Sequence, residues 1–171
     1  MSGNIGKAVK RRVTRADLLS SPASFCAFGF GSGLAPVAPG TFGTLPGIVI
    51  AIIISPVPLW FQWLLIVAAF VAGIRFCDIA TARLGTHDHG AIVWDEIVGI
   101  LITLAAVPLS LGSLIFGFLL FRFFDVLKPW PIGWVDRKID GGLGIMVDDV
   151  IAGVFAGVCL YLLTLVAPTW F

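Results

Sequence analysis

Two pairs of adjacent acids each lie directly before a long apolar run. Asp95 and Glu96 precede a charge-free run over 97–121, and Asp148 and Asp149 precede a charge-free run that reaches the end of the chain. Carboxylates that enter an apolar helix are costly unless satisfied, which favours a functional site over two solvated helix starts. Adjacent helical residues point about 100° apart, so one acid could bind a metal while its neighbour serves another role. Oxygen ligands with few nitrogen or sulfur ligands favour Mg²⁺ over a transition metal.

A stretch with two cations lies between the acid pairs. Arg122 and Asp125 are three residues apart and can share a helix face, which Lys128 continues just before Pro129 ends the helix. Cations beside carboxylates suit a metal–phosphate complex. Arg122 and Lys128 are therefore candidate substrate ligands, and Asp125 is a further candidate metal ligand. An intrahelical ion pair next to a lysine that extends to the membrane surface explains these residues equally well.

A glycine-rich segment over 29–44 could bring backbone N–H groups close to an anion. Within it, Ser32, Thr41 and Thr44 are candidate substrate-binding residues, and the two threonines could cap a helix whose N-terminus favours phosphate. The segment matches neither the dinucleotide-binding fingerprint nor the nucleotide P-loop. The alternative interpretation is a close-packed, glycine-rich membrane turn.

The two histidines of the chain, His87 and His89, precede the first acid pair. They could ligate zinc, but with no suitable cysteine nearby we favour hydrogen-bonding or general-acid roles. The alternative is that both are simple surface residues.

The spacing of Cys77 and Arg83 matches the Cys-x5-Arg pattern of phosphatases that use a cysteine nucleophile. The residues between them include no glycine to wrap backbone N–H groups around phosphate, and they have the pattern of a helix. Asp78 would also repel the phosphate. We therefore expect Cys77 to be an inert packing residue.

The composition indicates which solvent surrounds these residues. Of 171 residues, 58% are hydrophobic and 12% charged, and the mean hydropathy is +1.03. These values exclude a disordered or nucleic-acid-binding chain and argue against a water-soluble fold. The apolar runs are 42–54, 60–74, 97–107, 113–121 and 150–167, of which the last alone approaches the roughly 20 residues of a spanning helix. We predict an all-α, small polytopic membrane domain with short apolar helices interrupted by glycine and proline.

The turns between the apolar runs predict the topology. Charge-free turns at 55–58 and 108–112 predict two helical hairpins, so that the polar segments all emerge on one face. Five basic residues precede the first acid, Asp17: Lys7, Lys10, Arg11, Arg12 and Arg15. By the positive-inside rule that face is cytoplasmic. We therefore divide the chain into a basic cytoplasmic extension, 1–17, and a membrane domain, 18–171.

Four strings occur in order along the chain: GFGSGLAPVAPGTFGTL, HDHGAIVWDEIVG, RFFDVLKPWPI and GGLGIMVDDVIAG. Together they resemble the phosphatidylglycerophosphatase A family over nearly all of 28–165. The resemblance implies a Mg²⁺-dependent lipid phosphatase of phospholipid biosynthesis that converts phosphatidylglycerophosphate to phosphatidylglycerol and phosphate. It also implies a mostly helical fold in a bacterial inner membrane, with the active site facing the cytoplasm.

The family's acidic motifs fall on Asp95, Glu96, Asp125, Asp148 and Asp149. The resemblance does not separate metal ligands from the residue that activates water. Asp78 lies in a looser match and is a secondary candidate.

We hypothesise that Glu96, Asp148 and Asp149, with Asp95 or Asp125, hold Mg²⁺ against the terminal phosphate. Lys128 and Arg122 would neutralise its charge. Asp149 or Asp95 would activate water, and His87 or His89 would protonate the glycerol leaving group. A phospho-aspartate intermediate is the alternative mechanism.

The rival function is a small cation-coupled membrane carrier, because carboxylates and proline-interrupted apolar segments also occur in ion pathways. A carrier should hold ionisable residues at mid-membrane depth. Here they cluster at helix ends on one side, which favours the phosphatase.

Overall fold

The computed structural model describes residues 13–85 and 89–171, which form helices and turns and contain no strand. The helices are α1 (Arg15–Leu18), α2 (Pro22–Ala27), α3 (Pro39–Ile54), α4 (Leu59–Leu84), α5 (Trp94–Leu104), α6 (Leu111–Leu127), α7 (Ile132–Asp136) and α8 (Gly141–Val166). Short 3-10 segments, Gly29–Leu34 and Pro168–Trp170, follow α2 and α8. The predicted all-α fold class is confirmed.

Two of these helices, α4 and α8, are long and apolar enough to cross a membrane. Each has 26 residues and is therefore about 39 Å long. The expectation that only the last apolar run approaches a spanning length is wrong, because α4 continues through polar residues to Leu84 and α8 begins earlier, at Gly141. Only 22% of the most apolar window of α4 is buried. Such an outward-facing apolar surface is that of a membrane domain, not of a core helix in a soluble protein.

The short helix α5 is the centre of the bundle. Every residue from Asp95 to Leu104 is buried, and α3, α4, α6 and α8 all pack against it. Its 11 residues extend about 16 Å, roughly half the thickness of a bilayer core. The predicted connection between α3 and α4 at 55–58 is present, but α3 packs mainly on α5 and α4 mainly on α8, and the two helices pack little on each other.

Contacts between helix ends show which ends share one side of the bundle. At the start of α3, a Cβ on Gly40 would contact Glu96 at the start of α5 and Arg122 near the end of α6. The backbone N–H of Gly142, at the start of α8, donates to Asp78 near the end of α4 over 2.5 Å. Lys128, the C-cap residue of α6, donates to Asp148 of α8 and so joins these two groups of helix ends. The N-termini of α3, α5 and α8 and the C-termini of α4 and α6 therefore lie together. We call this side the polar end.

The N-terminal part of the chain packs onto the bundle. Helix α1 crosses the predicted boundary between residues 17 and 18, and the side chains of Val13 and Leu18 pack against the core. Residues 1–12, which include most of the predicted basic extension, lie outside the described residues.

Candidate functional site

Three acids meet at the polar end. One carboxylate oxygen each from Asp95, Glu96 and Asp149 lies within 4.8 Å of the other two. Asp95 and Glu96 are each 9% exposed and Asp149 is 3% exposed. Three carboxylates this close and this buried repel one another strongly unless a cation or protons compensate them. We refer to Asp95, Glu96 and Asp149 as the three-acid cluster.

A glycine crossing between α5 and α8 brings the cluster together. Gly99 lies one turn after Asp95, and Gly153 lies one turn after Asp149. A Cβ on Gly153 would lie 2.5 Å from the Gly99 carbonyl oxygen, so the two backbones are in direct contact. Thr103 strengthens the crossing because its hydroxyl donates to the Gly153 carbonyl over 3.2 Å. Small residues at this crossing therefore set the separation of the acids above it.

Several carboxylate oxygens at this site are buried without a donor. Within the described residues they are Asp95 Oδ1, Glu96 Oε2, Asp148 Oδ1 and Asp149 Oδ2. A buried acceptor left unpaired costs about 1–3 kcal/mol, and a charged one more. An all-oxygen set of this kind matches the ligands that Mg²⁺ prefers. The residues present thus fit a hard divalent cation.

The cluster opens into a cavity of about 320 Å³, which we call the acidic cavity. Its charged lining consists of six acids and one cation: Asp95, Glu96, Asp125, Asp136, Asp148, Asp149 and Lys128. All five acids that the sequence predicts as metal ligands therefore line one cavity. Whether each of them binds a metal stays a prediction.

Lys128 bridges two of these acids. Its Nζ donates to Asp148 over 2.5 Å and to Asp136 over 2.8 Å. Burial disfavours the charged ammonium, but the carboxylates of Asp148 and Asp136 outweigh this effect and raise the pKa of Lys128 above its ordinary value. The lysine therefore stays cationic beside the cluster.

Asp136 is the site residue that the sequence analysis missed. It lies in the short helix α7, after the turn at 129–131, and α7 packs on α8. The available signal was an acid just beyond the Lys128 motif, but its sequence position alone did not indicate a contact with Lys128.

Arg122 connects α6 to α5. Its Nη1 donates to Asp125 on the same helix and lies 3.8 Å from Glu96 Oε1. The intrahelical ion pair of Arg122 and Asp125, which was the alternative interpretation of this stretch, is present. The contact with Glu96 extends it across the bundle. Arg122 therefore holds two cavity acids in place.

The three hydroxyl residues of the glycine-rich segment lie outside the acidic cavity's lining. Ser32 donates to the Gly29 carbonyl over 2.7 Å, and the fully buried Thr44 donates to the Gly40 carbonyl over 2.8 Å. Thr41 is partly buried within α3. The expectation that threonines cap this helix is wrong, because α3 begins at Pro39 with Ala38 as its N-cap residue. Both threonines follow the N-cap residue and are themselves part of the helix.

The remaining candidates lie in different surroundings. His87 lies outside the described residues, and His89 Nδ1 accepts from the Ala91 N–H over 3.2 Å. Asp78 accepts from Gly142 and so caps the start of α8, where the N-cap residue Asp140 makes no side-chain cap bond. Cys77 is buried within α4. This environment agrees with its predicted packing role.

Comparison with known proteins identifies the family. A family model described as Phosphatidylglycerophosphatase A matches residues 25–164. The chain is 42% identical to Phosphatidylglycerophosphatase A of Escherichia coli (strain K12) over 144 residues, 84% of each chain. It is 47% identical to Phosphatidylglycerophosphatase A of Haemophilus influenzae over 146 residues, 84% of this chain and 89% of the relative.

A third relative carries a different name. It is a Bacteroides thetaiotaomicron protein to which phosphatidylinositol-3-phosphatase activity is provisionally assigned, 39% identical over 139 residues, 75% of this chain and 84% of the relative. No solved structure matches the chain.

The matched region contains all six acids of the cavity, together with Arg122 and Lys128. The prediction of an enzyme that hydrolyses a phosphate monoester is thereby confirmed, whereas the carrier alternative is not. By the extent of the family match and the identity of its relatives, the chain belongs to the phosphatidylglycerophosphatase A family.

Proposed function

We propose that the chain is a Mg²⁺-dependent phosphatase that converts phosphatidylglycerophosphate to phosphatidylglycerol and phosphate. The names of two relatives support the substrate. The observation that carries the metal is the set of buried, unpaired carboxylate oxygens around the three-acid cluster. Asp95, Glu96 and Asp149 would hold Mg²⁺, with Asp148 beside them.

Phosphoryl transfer requires mainly positioning and charge stabilisation. Bound Mg²⁺ would supply positive charge to the phosphoryl oxygens and favour deprotonation of the attacking water. Lys128 adds a second positive charge at the same cavity, where it can pair with a phosphate oxygen. Arg122 acts indirectly, because its guanidinium pairs with Glu96 and Asp125 and holds their carboxylates in position.

The ion pairs of the cavity limit which acids can accept the proton of water. Among the described acids of the cavity, Asp125 pairs with Arg122, and Asp136 and Asp148 pair with Lys128. Asp95 and Asp149 have no such ion pair, and each carries two carboxylate oxygens, so one oxygen can bind the metal while the other accepts the proton. These two residues are therefore our candidates for the general base.

The alternative route is direct attack by a carboxylate to give a phospho-aspartate. Hydrolysis in H₂¹⁸O under single-turnover conditions, combined with a search for trapped phosphoenzyme, separates the two routes. Direct attack by water places ¹⁸O in the released phosphate and leaves the protein unlabelled. A phospho-aspartate cleaved at its carbonyl carbon would transfer ¹⁶O from the carboxylate to phosphate and place ¹⁸O in the protein. One cleaved at phosphorus would label the phosphate, but rapid acid quenching would trap it as an acyl phosphate on the protein.

We propose that the domain crosses a bacterial inner membrane several times, with the polar end toward the cytoplasm. The basic N-terminal residues and the outward apolar surfaces of α4 and α8 support this orientation. The acyl chains then remain in the bilayer while the headgroup reaches the acidic cavity. His87 or His89 would protonate the glycerol leaving group.

Phosphate release from phosphatidylglycerophosphate in mixed micelles tests the proposal. Purified protein should release phosphate with Mg²⁺, lose this activity in EDTA, and recover it when Mg²⁺ is added back. Phosphatidylinositol 3-phosphate at the same surface concentration tests the selectivity, and we expect slower release from it. Undiminished release in EDTA would contradict the metal site.

A further inference from the structure

Two exposed tryptophans lie where α6 meets α7, at the polar end. Trp130 is 82% exposed and Trp134 is 52% exposed, although Ile132 between them is buried in the core. Large aromatic surface is unfavourable in water, and tryptophan concentrates at membrane–water interfaces, where one side of the ring contacts lipid and the N–H contacts water. The packing of the fold alone does not explain why both rings point outward.

The backbone between the two helices fixes the direction of both rings. The Ile132 N–H donates to the Pro129 carbonyl over 2.8 Å, and the Trp134 N–H donates to the Pro131 carbonyl over 3.0 Å. Within α7, Trp134 lies on the side opposite Ile132 because two residues along a helix differ by about 200°. The buried side of α7 packs on α8, so Trp134 faces away from the bundle.

The outward face of α6 leads directly to this turn. Ile115, Leu119, Phe123 and Val126 recur every three or four residues along it, and each is between 49% and 66% exposed. Such an apolar stripe is the lipid-facing side of a membrane helix. Because α6 ends at Leu127, the two tryptophans follow at the depth where the bilayer core meets the headgroups.

Two cations end the same segment. Arg137 and Lys138 are both exposed, and neither forms an ion pair with an acid that the structure describes. Of the nearby acids, Asp136 pairs with Lys128, and Asp140 is the N-cap residue of α8, where the helix N-terminus favours its negative charge. The charges of Arg137 and Lys138 are therefore available to an anionic partner.

Indoles beside unpaired cations match a surface of anionic phospholipid, which presents apolar groups and phosphate at the same depth. We propose that residues 126–138, which we call the α6–α7 corner, bind anionic phospholipid and hold the acidic cavity at headgroup level. Lys128 and Asp136 belong to this corner and line that cavity, so lipid gathered at the corner lies beside the site. That this lipid includes the substrate rests on the proposed function.

Tryptophan quenching in lipid nanodiscs tests the lipid contact independently of activity. The discs contain phosphatidylcholine with a minor fraction of either phosphatidylserine or phosphatidylcholine that is brominated near the headgroup, since bromine quenches only nearby indoles. Arg137→Gln/Lys138→Gln removes both charges, and Trp130→Phe/Trp134→Phe removes the reporting rings. Arg83→Gln, which changes an exposed cation in the last turn of α4, is the matched control. Thermal unfolding establishes that each variant is folded.

We expect brominated phosphatidylserine to quench the wild-type protein about threefold more strongly than brominated phosphatidylcholine does. This excess should disappear in both double variants and remain in Arg83→Gln. Equal quenching of the wild type by the two lipids would overturn the proposal, as expected if a second copy of the chain covers the corner. An excess that persists in either folded double variant, or that Arg83→Gln also removes, would overturn it too.

Phosphate release separates this proposal from the proposed function. Arg137→Gln/Lys138→Gln should raise KM for phosphatidylglycerophosphate in mixed micelles about threefold at unchanged kcat, because less anionic lipid gathers beside the cavity. An unchanged KM would contradict the supply of substrate from the corner. Wild-type protein that releases no phosphate but keeps the excess quenching would overturn the proposed function and leave the lipid contact standing.

Discussion

The two acid pairs have the same pattern in the sequence and different surroundings in the structure. Asp95 and Glu96 occupy the first turn of α5, and both belong to the three-acid cluster. Asp148 and Asp149 lie well inside α8, and of these Asp149 joins the cluster while Asp148 binds Lys128.

The helices around each pair explain this difference. Adjacent side chains on a helix diverge by about 100°. Helix α8 packs against α5 on one side and against α6 and α7 on others, so its two acids meet different neighbours. The role of each acid therefore depends on the element it faces, and two similar pairs of adjacent acids have different roles.

The sharpest test of this difference compares Asp149→Asn with Asp148→Asn. We expect Asp149→Asn to lower kcat about 10³-fold, because it removes a charge from the cluster itself. Asp148→Asn should cost about 10- to 100-fold, because it loosens Lys128 but leaves the cluster intact. Steady-state phosphate release gives both values, with thermal unfolding as the folding control. Equal losses would show that the second pair acts as a unit.

The glycine crossing provides a second comparison, in which no site residue is changed. Gly153→Ala would force a methyl group onto the Gly99 backbone, whereas Gly157→Ala meets the Ala106 Cβ at 3.3 Å. Moving α8 away from α5 should separate Asp149 from Asp95. We expect Gly153→Ala to reduce kcat/KM about 10²-fold. Gly157→Ala, on the same helix, should have little effect, and similar losses in both variants would contradict the positioning role of Gly153.

Lys128 and Asp136 test the cationic part of the cavity. Lys128→Met should raise KM and lower kcat/KM about tenfold, since solvent at this partly exposed position screens its charge. Asp136→Asn should change kcat/KM only about twofold, because Asp148 still holds the lysine. Kinetics at matched ionic strength distinguish the two variants. A larger loss for Asp136→Asn than for Lys128→Met would place Asp136 in direct contact with the reaction.

Asp78 provides a contrast, because it lies at the polar end but has a structural role. Asp78→Ala removes the carboxylate that caps the start of α8. We expect a loss of about 1–2 kcal/mol in the free energy of unfolding, with kcat and the Mg²⁺ requirement unchanged. Chemical denaturation in detergent measures the first quantity and phosphate release the second. A change in the Mg²⁺ requirement would place Asp78 at the metal.

Local sequence patterns predicted much of the site because helical spacing is regular. The pairing of Arg122 with Asp125 and the end of α6 beside Pro129 follow from a spacing of three residues and from proline geometry. The gathering of the polar segments follows from the short charge-free turns. In each case the evidence lies within a few residues of the feature.

Features that depend on distant contacts were missed. Asp136 reaches Lys128 because α7 packs on α8, and no nearby residue indicates this. The lengths of α4 and α8 were underestimated because a helix continues through polar residues whose side chains find hydrogen-bond partners, as Asp78 does with the Gly142 N–H. The threonines of the glycine-rich segment were misplaced because α3 begins earlier, after the left-handed Ala38.

Direct metal binding tests the central claim, that Asp95, Glu96 and Asp149 hold the divalent cation. Electron paramagnetic resonance with Mn²⁺ in place of Mg²⁺ can be measured on wild-type protein, Asp149→Asn and Asp148→Asn in the same detergent. We predict saturable Mn²⁺ binding that Mg²⁺ displaces, weakened about 100-fold in Asp149→Asn and distinctly less in Asp148→Asn. Folded Asp149→Asn that binds Mn²⁺ as tightly as wild type would contradict the account.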